Sequence, residues 1–381
     1  MNGRMSSAPK ASVGGQDAAA RAHTAMIKRR IRHEVSPDAF KPRPIRALTA
    51  LTLAAAIATM GIILVTVPLP GAVSLLLSAV SGCMYGSLFF LGHEAGHGAV
   101  IRQKRGQDVL MWLAFLIFLL SPTLWRVWHN KVHHTYTNRE DYDPDNFGTE
   151  SSYNEARSVR LMAGFTPGSG RWRSLIYLPT WFTVHSQVVL WVQSRRCSGF
   201  ESLDRRRAAA ESVGMAAFWI WLAAHVGVGP SIFVIVIPMM VANAIIMSYI
   251  VTNHLLRPLL DHSDPLRSSM SLTTHPWMDL MHFNFSHHVE HHLFPSMSSR
   301  YTPLVRAKLR EYAGESFFAP SHVAALLLVF RTPRIHDQDD ALVDPTRDRR
   351  IPFSEISDAL VAATAVALTR TRGEVRYEPE A

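Results

Sequence analysis

The sequence predicts an all-α integral membrane protein in which four transmembrane helices carry a cytosolic helical cap. Two observations lead to this fold class: long uncharged apolar runs, and three histidine-rich boxes near the ends of those runs. Of the 381 residues, 48% are hydrophobic and 18% are charged. The formal net charge of +9 comes from Lys and Arg that flank the runs rather than form one stripe. That distribution indicates membrane topology rather than nucleic-acid binding.

The first segment, residues 1–46, is polar and basic, and we expect it to be a flexible cytosolic N-terminus. It has no apolar stretch close to its start, so a cleaved signal peptide is not predicted. Pro42 and Pro44 would interrupt any helix near its end.

Four uncharged runs are long enough to cross a hydrocarbon core of roughly 30 Å as helices. They cover about residues 47–67, 72–91, 212–228 and 231–252. A shorter apolar run before the second box is predicted to be interfacial or re-entrant, because a crossing would put the first two boxes on opposite faces. Residues 174–192, which contain Pro179 and His185, are predicted to lie along the interface.

The short loops between paired runs, PLPG and VGVGP, carry no charge, whereas the basic clusters lie on the other side. The positive-inside rule therefore places both termini and all three boxes in the cytosol. We predict a membrane domain over residues 47–335 and a soluble C-terminal tail over residues 336–381. The expected location is the cytoplasmic membrane of a bacterium.

Three histidine boxes are the candidate functional residues, and spacings of three and four place side chains on one face of a helix. The box histidines are His93 and His97 in HEAGH, His129, His133 and His134 in HNKVHH, and His288, His291 and His292 in HHVEHHLFP. Imidazoles directed at one point suit a transition metal, and eight exceed the four to six ligands of one ion. Two metals, at four imidazoles each, are the simplest count. With only Cys83 and Cys197 present, a thiolate site is excluded, while iron, copper and zinc stay open.

Competing interpretations exist for the first two boxes. HEAGH also fits the HExxH pattern of zinc proteases, in which Glu94 would act as general base, but such a site needs one further ligand rather than six more histidines. The histidines beside Lys131 are compatible with a solvated surface. The acidic residues Asp141, Asp143 and Asp145 are interpreted more readily as a solvated turn than as acceptors that orient imidazoles.

Taken together, the boxes resemble those of the membrane fatty acid desaturase superfamily. The order HxxxH, HxxxHH, HxxHH, the HHTYTN and DPD sequences of the second box, and HHVEHHLFP carry the resemblance, which covers residues 48–335. It implies a cytosolic di-iron centre that uses O2 and two electrons to remove two hydrogens from an unactivated acyl chain. His288 stands where front-end desaturases carry glutamine, and no fused cytochrome b5-like motif is visible, which disfavours that branch. Lipid or carotenoid hydroxylases and ketolases have similar boxes and stay open.

The resemblance also suggests a ninth ligand, His254, directly after the fourth run. This run must pass beside the second for the bundle to close, so we expect His254 near His93. A haem-binding or metal-carrier protein is disfavoured because only His225 lies within a run. No flavin, haem or iron–sulfur motif is visible, so the electrons would come from a ferredoxin or a cytochrome b5 docked on the basic face. The expected ligands are two iron ions, O2, a fatty acyl substrate and membrane lipid, with no nucleic acid.

Overall fold

The computed structural model describes residues 11–337 and 340–372, with side chains over 17–337 and 340–365, and it is largely helical. Within these residues the α-helices are, in chain order, α1 (Ala11–Glu34), α2 (Ile45–Thr66), α3 (Gly71–Gly96), α4 (Lys104–Phe115), α5 (Pro122–Val127), α6 (His134–Tyr136), α7 (Glu150–Glu155), α8 (Arg157–Ala163), α9 (Tyr177–Trp191), α10 (Arg205–Val226), α11 (Val228–Ser231), α12 (Ile237–His254), α13 (Pro265–Ser268), α14 (Pro276–Met281), α15 (His288–Leu293), α16 (Thr302–Ala313), α17 (His322–Arg331) and α18 (Phe353–Arg372). Two π-helical turns, Trp128–His133 and Ile232–Val236, precede α6 and α12. The short antiparallel strands β1 (Ile335–His336), β2 (Ala341–Asp344) and β3 (Arg349–Pro352) form one sheet in that order. The predicted all-α membrane fold is confirmed.

Among the described residues, five helical stretches are long and apolar enough to cross a membrane, judged by length and composition. They are Ile45–Thr66, Gly71–Gly96, Trp172–Arg195, Arg205–Val226 and Val228–His254. Four correspond to the predicted runs, and the additional one is Trp172–Arg195, which the sequence predicts to lie along the interface. Pro179 does not break it, because a proline in the first turn of a helix removes no internal hydrogen bond. The predicted number of four is therefore not confirmed.

The apolar run before the second box folds back on itself. The chain bends by 107° between its two arms, Lys104–Phe118 and Pro122–Tyr136. The second arm carries His129 back to the end of α3, where its ring lies 4.7 Å from the ring of His93. The first and second boxes therefore meet at one end of the bundle, as the re-entrant prediction requires.

The bend has a local cause at the start of α5. Leu119 adopts a positive φ of 54°, which ends the first arm. Ser121 then caps the second arm, since its Oγ accepts a hydrogen bond from Leu124 N at 3.0 Å. Glu211 of α10 accepts hydrogen bonds from Ser121 Oγ (2.6 Å) and from Thr123 N (3.0 Å). A carboxylate at the positive N-terminal end of α5 stabilises this turn, and the turn sets the direction of the arm that carries the second box.

Close helix packing around α3 fixes where its histidines lie. A Cβ atom at Gly82 would stand 2.5 Å from the Cβ of Val241 on α12, and one at Gly92 would stand 2.3 Å from the Cβ of Ala114 on α4. Only glycine allows helices to approach so closely, as in other tightly packed membrane helices. The ends of α3, α12 and the re-entrant arms are thereby brought together.

The prediction that residues 1–46 form a flexible segment is wrong for the described part, because residues 11–34 form the helix α1. Ile27, Ile31 and Val35 are buried in an apolar cluster with residues of α15 and α16. They form a stripe at helical spacing, a pattern that the excess of basic residues around it obscures in the sequence. Residues 1–10 lie outside the described part of the chain.

The segment predicted as a soluble C-terminal tail, residues 336–381, is continuous with the rest of the fold in its described part. Strand β1 crosses the predicted boundary, and its residues pair with β2. Leu342 and Phe353 are buried in the main apolar core, because the strands and α18 cover it. The boundary after residue 335 therefore does not separate two units, and residues 373–381 lie outside the described structure.

Candidate metal centre

The nine histidines singled out from the sequence lie together in two adjoining groups. The first group is His93, His97, His129, His134 and His291, and the second is His133, His254, His288 and His292. Within each group, one nitrogen from every ring lies within 4.8 Å of the others. The eight box histidines thus divide five to three instead of four to four, and His254 brings the second group to four.

The first box occupies the end of α3, where His93 and His97 are one turn apart. The Nε2 atoms of His93 and His129 are 2.9 Å apart, so the first box meets the second directly. The Nε2 atom of His97 is buried and has no hydrogen-bond partner among the described residues. A buried polar atom of this kind indicates a missing ligand, and a metal ion would supply it.

The carboxylate of Glu94, in the same box, interacts with residues of α2 and of the segment after the third box. Its carboxylate pairs with Arg46 at the start of α2, and it accepts hydrogen bonds from Ser298 Oγ and Ser299 N, both at 3.0 Å. Ser298 and Ser299 follow the third box. Glu94 therefore ties the first box to the third and to α2, and its oxygens are already occupied.

The second box contains a π-helical turn that the sequence does not reveal. In a regular α-helix, His134 would lie far around the axis from His129, because it is five residues further on. Here the turn Trp128–His133 is π-helical, and the N–H of His134 donates to the carbonyl of His129. Residues five apart then lie one above the other, and the Nε2 atoms of His129 and His134 are 3.2 Å apart. The π-turn thus places His134 in the first group and leaves His133 for the second.

The third box contributes histidines to both groups. Its spacing predicts that all three point to one site, and that prediction is wrong. On α15, His288 and His292 are one turn apart, and their Nε2 atoms are separated by 3.1 Å. The Nε2 atom of His291 instead lies 3.1 Å from Nε2 of His134, which belongs to the first group. One short helix therefore contributes to both groups.

A buried ion pair holds α15 in place. Glu290 is fully buried, and its carboxylate lies 2.7 Å from Nε of Arg306 on α16 and bonds to the Ser271 hydroxyl. Arg306 also donates to the carbonyls of Leu272 and Ser286, each at 3.0 Å. The glutamate of the third box thus orients the histidines on either side of it.

His254, at the end of α12, lies in the second group and is not the neighbour of His93 that we expected. Its Nε2 is 2.7 Å from Nε2 of His288, and its ring also contacts His133 and His292. Its Nδ1 lies 3.2 Å from the carbonyl oxygen of Ser268. Although α12 does pack along α3, the third box fills the space beside its end.

The acidic turn after the second box is only partly solvated, contrary to its interpretation as a solvated turn, because Asp143 is buried and Asp145 is half-buried. Asp145 lies 3.1 Å from Nδ1 of His133 and 2.9 Å from Nε2 of His185. Asp143 approaches the same Nδ1 at 3.3 Å, whereas Asp141 is exposed. Carboxylates in such positions orient metal-binding imidazoles. The feature of the sequence that could have indicated this arrangement is His185, since an ionisable residue within an apolar run usually has a function.

Burial gives most of the imidazoles the protonation state that metal binding requires. It lowers the pKa of His97 to about 3, and it lowers the pKa values of His288, His291 and His292 well below 6.5. Burial alone would raise the pKa of Asp145, but hydrogen bonds from His133 and His185 outweigh it and hold that pKa below its usual value. These four rings are therefore neutral at neutral pH, beside an ionised carboxylate. At His133 burial would also lower the pKa, but Asp143 and Asp145 outweigh it and raise that pKa to about 10, so this ring must lose a proton when it binds a metal.

The spacing of the nitrogens also fits metal ligation. Neighbouring Nε2 atoms within the groups are 2.7 to 3.2 Å apart, between His254 and His288 at one extreme and His129 and His134 at the other. Two nitrogens bound at right angles, at about 2.1 Å from one ion, would be about 3.0 Å apart. Two metal ions fit this donor set.

An apolar cavity reaches both histidine groups. It lies between α3, the second re-entrant arm, α9 and α12, and histidines of both groups form part of its wall. The rest of the lining is mostly aromatic and aliphatic: Phe89, Trp125, Trp128, Tyr177, Trp181, Phe182, Met247, Ile250, Val251, Leu255 and Phe285. The volume of the cavity is about 40 Å³, so as it stands it has room for only a short part of a hydrocarbon chain next to the candidate metals.

The sequence matches the family model of the fatty acid desaturases over residues 66–323, which include all nine histidines. The chain belongs to the fatty acid desaturase family. It is 23% identical over 248 residues to an acyl-lipid (9-3)-desaturase of Borago officinalis, a match that covers 57% of this chain and 54% of that protein. It is 22% identical over 281 residues to a chloroplastic omega-6 fatty acid desaturase of Spinacia oleracea, covering 68% of this chain and 59% of that protein. The chain thus spans a little over half the length of these two relatives.

Proposed function

We propose that the protein is an O2-dependent di-iron fatty acyl desaturase that introduces a carbon–carbon double bond into an acyl chain. The observation that carries this proposal is the pair of imidazole groups, five and four, open to one apolar cavity. Membership of the fatty acid desaturase family supports the same chemistry. In the overall reaction, O2, two electrons and two protons are consumed while the acyl chain loses two hydrogens and two waters form.

Each histidine group would hold one iron ion, and the irons when bound would supply the activation of O2 that breaks two unactivated C–H bonds. The chain's own residues prepare the site. Burial keeps most of the imidazoles neutral, Asp145 orients His133, and the Glu290–Arg306 pair fixes the helix that serves both groups. The aromatic walls of the cavity exclude water and position the hydrocarbon chain.

The zinc protease hypothesis is disfavoured by the geometry of the first box. A general base must present a free carboxylate oxygen to a metal-bound water. Glu94 instead pairs with Arg46 and accepts hydrogen bonds from Ser298 and Ser299. The hydroxylases and ketolases of lipids or carotenoids are the remaining alternative, since they would use a centre of the same kind.

The electrons would come from a separate acidic protein such as a ferredoxin or a cytochrome b5. The exposed face of α1 carries Arg21, Lys28, Arg29 and Arg32. The opposite face of this helix packs against the elements that bear the third box. A donor bound there would stand one helix away from the candidate metal centre. The acyl substrate could be carried by a lipid, coenzyme A or a carrier protein.

The proposed topology retains four crossings, with both termini and the metal centre in the cytosol of a bacterium. Tyr177, Trp181 and His185 of α9 all line the cavity at the histidines, which supports an interfacial position for Trp172–Arg195. Single cysteines at Arg171 and Arg195 would test it with a membrane-impermeant thiol reagent. Labelling of both positions only from the cytosolic side is expected, and labelling from opposite sides would establish a fifth crossing.

The decisive test of function is expression in a host of simple lipid content, followed by mass spectrometry of its fatty acids and pigments. We expect a new unsaturated fatty acid that is absent when His291→Ala replaces the wild-type chain. Oxygenated lipid or carotenoid as the sole product would instead assign the chain to the hydroxylases or ketolases.

A further inference from the structure

A second cavity, of about 60 Å³, lies between the loop 164–171 and the sheet, on the far side of Arg334 from the histidine cavity. Its charged lining consists of Arg160, Arg171, Arg334 and Asp344. We refer to it as the arginine cavity. Three cations against one anion give it a positive character that the proposed desaturation does not use.

Arg334 is the least expected of these residues because its charge is buried without an anion. The side chain is 3% exposed, and its guanidinium donates to the carbonyls of Pro167, Leu255 and Val329 and to Thr332. Among the described residues, no carboxylate forms an ion pair with it. Burial lowers the pKa of Arg334 only to about 9, so it is charged at neutral pH. All three guanidinium nitrogens are hydrogen-bonded, but to uncharged oxygens, so the buried charge has no anionic counterpart among the described residues, whereas buried charges are normally paired.

Asp344, the one acid in the lining, does not serve as that partner. Its Oδ1 accepts hydrogen bonds from the backbone N (2.9 Å) and Oγ1 (2.6 Å) of Thr346, two residues further along the turn. Its Oδ2 lies 3.9 Å from Nε of Arg347. The carboxylate of Asp344 therefore interacts with residues of its own turn and not with Arg334.

The loop that forms one wall is built from glycines in positive-φ conformations. Gly168 has a φ of 85°, and a Cβ atom there would stand 1.8 Å from the carbonyl oxygen of Thr332. Gly170 has a φ of 63°, and its position leaves room for the guanidinium of Arg347. Because these positions have no side chains, the backbone of the loop packs directly against Thr332 and Arg347 and so forms this wall of the cavity.

The arginine cavity is next to side chains suited to a membrane surface. Trp172, which follows Arg171 directly, is 73% exposed, and Leu161 and Leu175 are 66% and 69% exposed. Trp172 also begins one of the stretches that is apolar enough to enter a bilayer. A tryptophan beside arginines is typical of the level of the lipid headgroups.

We infer that the arginine cavity binds the phosphate group of a membrane phospholipid, held by Arg171 and the buried Arg334. Arg171 has no hydrogen bond or ion pair from its side chain within the described structure, so its guanidinium is available. Guanidinium groups bind phosphate oxygens through paired hydrogen bonds, and hydroxyls such as that of Ser169 can add a further donor. This site goes beyond the proposed desaturation and does not depend on it.

The test is equilibrium binding of radiolabelled phosphatidylglycerol to the purified full chain in detergent micelles. Diacylglycerol with the same acyl chains, which lacks phosphate, and inorganic phosphate serve as competitors. We expect Arg171→Gln to weaken binding about tenfold, the loss typical of one charged hydrogen bond. Ser169→Asp, which places an anion in the cavity, should weaken it at least as much.

The matched control is Arg195→Gln, which removes the same charge from an exposed arginine at the other end of the stretch that begins at Trp172. It should bind phosphatidylglycerol like the wild type. Equal binding by all variants, or an equal loss in the control, would overturn the site, and so would competition by diacylglycerol. Displacement by inorganic phosphate as effective as that by the unlabelled lipid would show a soluble-phosphate site instead. Because no turnover is measured, failure here is distinguishable from failure of the desaturase proposal.

Discussion

The Nε2 atoms of His254 and His288 lie 2.7 Å apart, which joins the end of α12 to the third histidine box. His254 ends an apolar stretch and is separated from every box in the sequence. Its neighbours, His133 and His292, belong to two different boxes. The second candidate metal position is therefore assembled from three distant parts of the chain.

The first prediction concerns His254. His254→Ala should lower the iron content from two ions toward one and reduce turnover by at least about a hundredfold, because the second group would keep only three imidazoles. His291→Ala, which affects the first group, should lower both quantities as well. Iron analysis and product formation measure the two effects. The control is His287→Ala, which removes a buried histidine of the third box that belongs to neither group. Full iron and full turnover in His254→Ala would limit the ligand set to the eight box histidines.

The second prediction concerns Asp145, which links His133 to His185. Asp145→Asn should weaken iron binding by roughly tenfold to a hundredfold, because a neutral amide orients and polarises the imidazole of His133 less effectively. Competition with a chelator of known affinity measures the change. Asp141→Asn is the matched control, since Asp141 belongs to the same turn but is exposed. Equal affinities in the two variants would remove Asp145 from the support of the metal.

The third prediction concerns pH. Burial lowers the pKa values of His288 and His292 well below their unfolded values near 6.5, so below that pH the unfolded chain binds more protons than the folded one. The stability that these histidines contribute to the metal-free protein should therefore be complete above about pH 6.5 and should decline as the pH falls, although His133, whose pKa is raised to about 10, makes a smaller contribution of the opposite sign. We expect a melting temperature about 5 °C lower, or more, at pH 5.5 than at pH 7.5. Iron occupancy should decline in the same direction, because only neutral imidazoles bind metal. Identical melting temperatures at the two pH values would contradict this account.

The fourth prediction concerns the electron donor. Reversing two exposed charges of α1, Arg21→Glu and Arg29→Glu, should raise the KM for an acidic donor about tenfold at low salt and leave kcat nearly unchanged. Turnover of the wild type should fall as the ionic strength rises. The control carries Arg195→Glu and Arg196→Glu, which change the net charge equally at a distant exposed position. A KM that rises equally in both variants would show that net charge, and not the α1 surface, governs the encounter.

The sequence by itself determined the fold class, four of the five apolar stretches, and all nine histidines that the structure brings together. These features are local: an apolar run or a pair of histidines one turn apart is visible along a single helix. The burial of α1 was also predictable from its local sequence, because Ile27 and Ile31 lie one turn apart. The many basic residues around them made this apolar stripe hard to recognise.

Only the tertiary structure decided how the histidines divide. Spacing shows which side chains share a face of one helix, but the ring that each one meets depends on how helices distant in sequence pack. The π-turn sends His134 and His133 to different groups, α15 presents His291 to one and His288 to the other, and the end of α12 adds His254. Asp145 and His185 likewise meet through packing alone, since they are 40 residues apart. A metal centre assembled from several helices is a property of their relative positions, and no single stretch of sequence contains it.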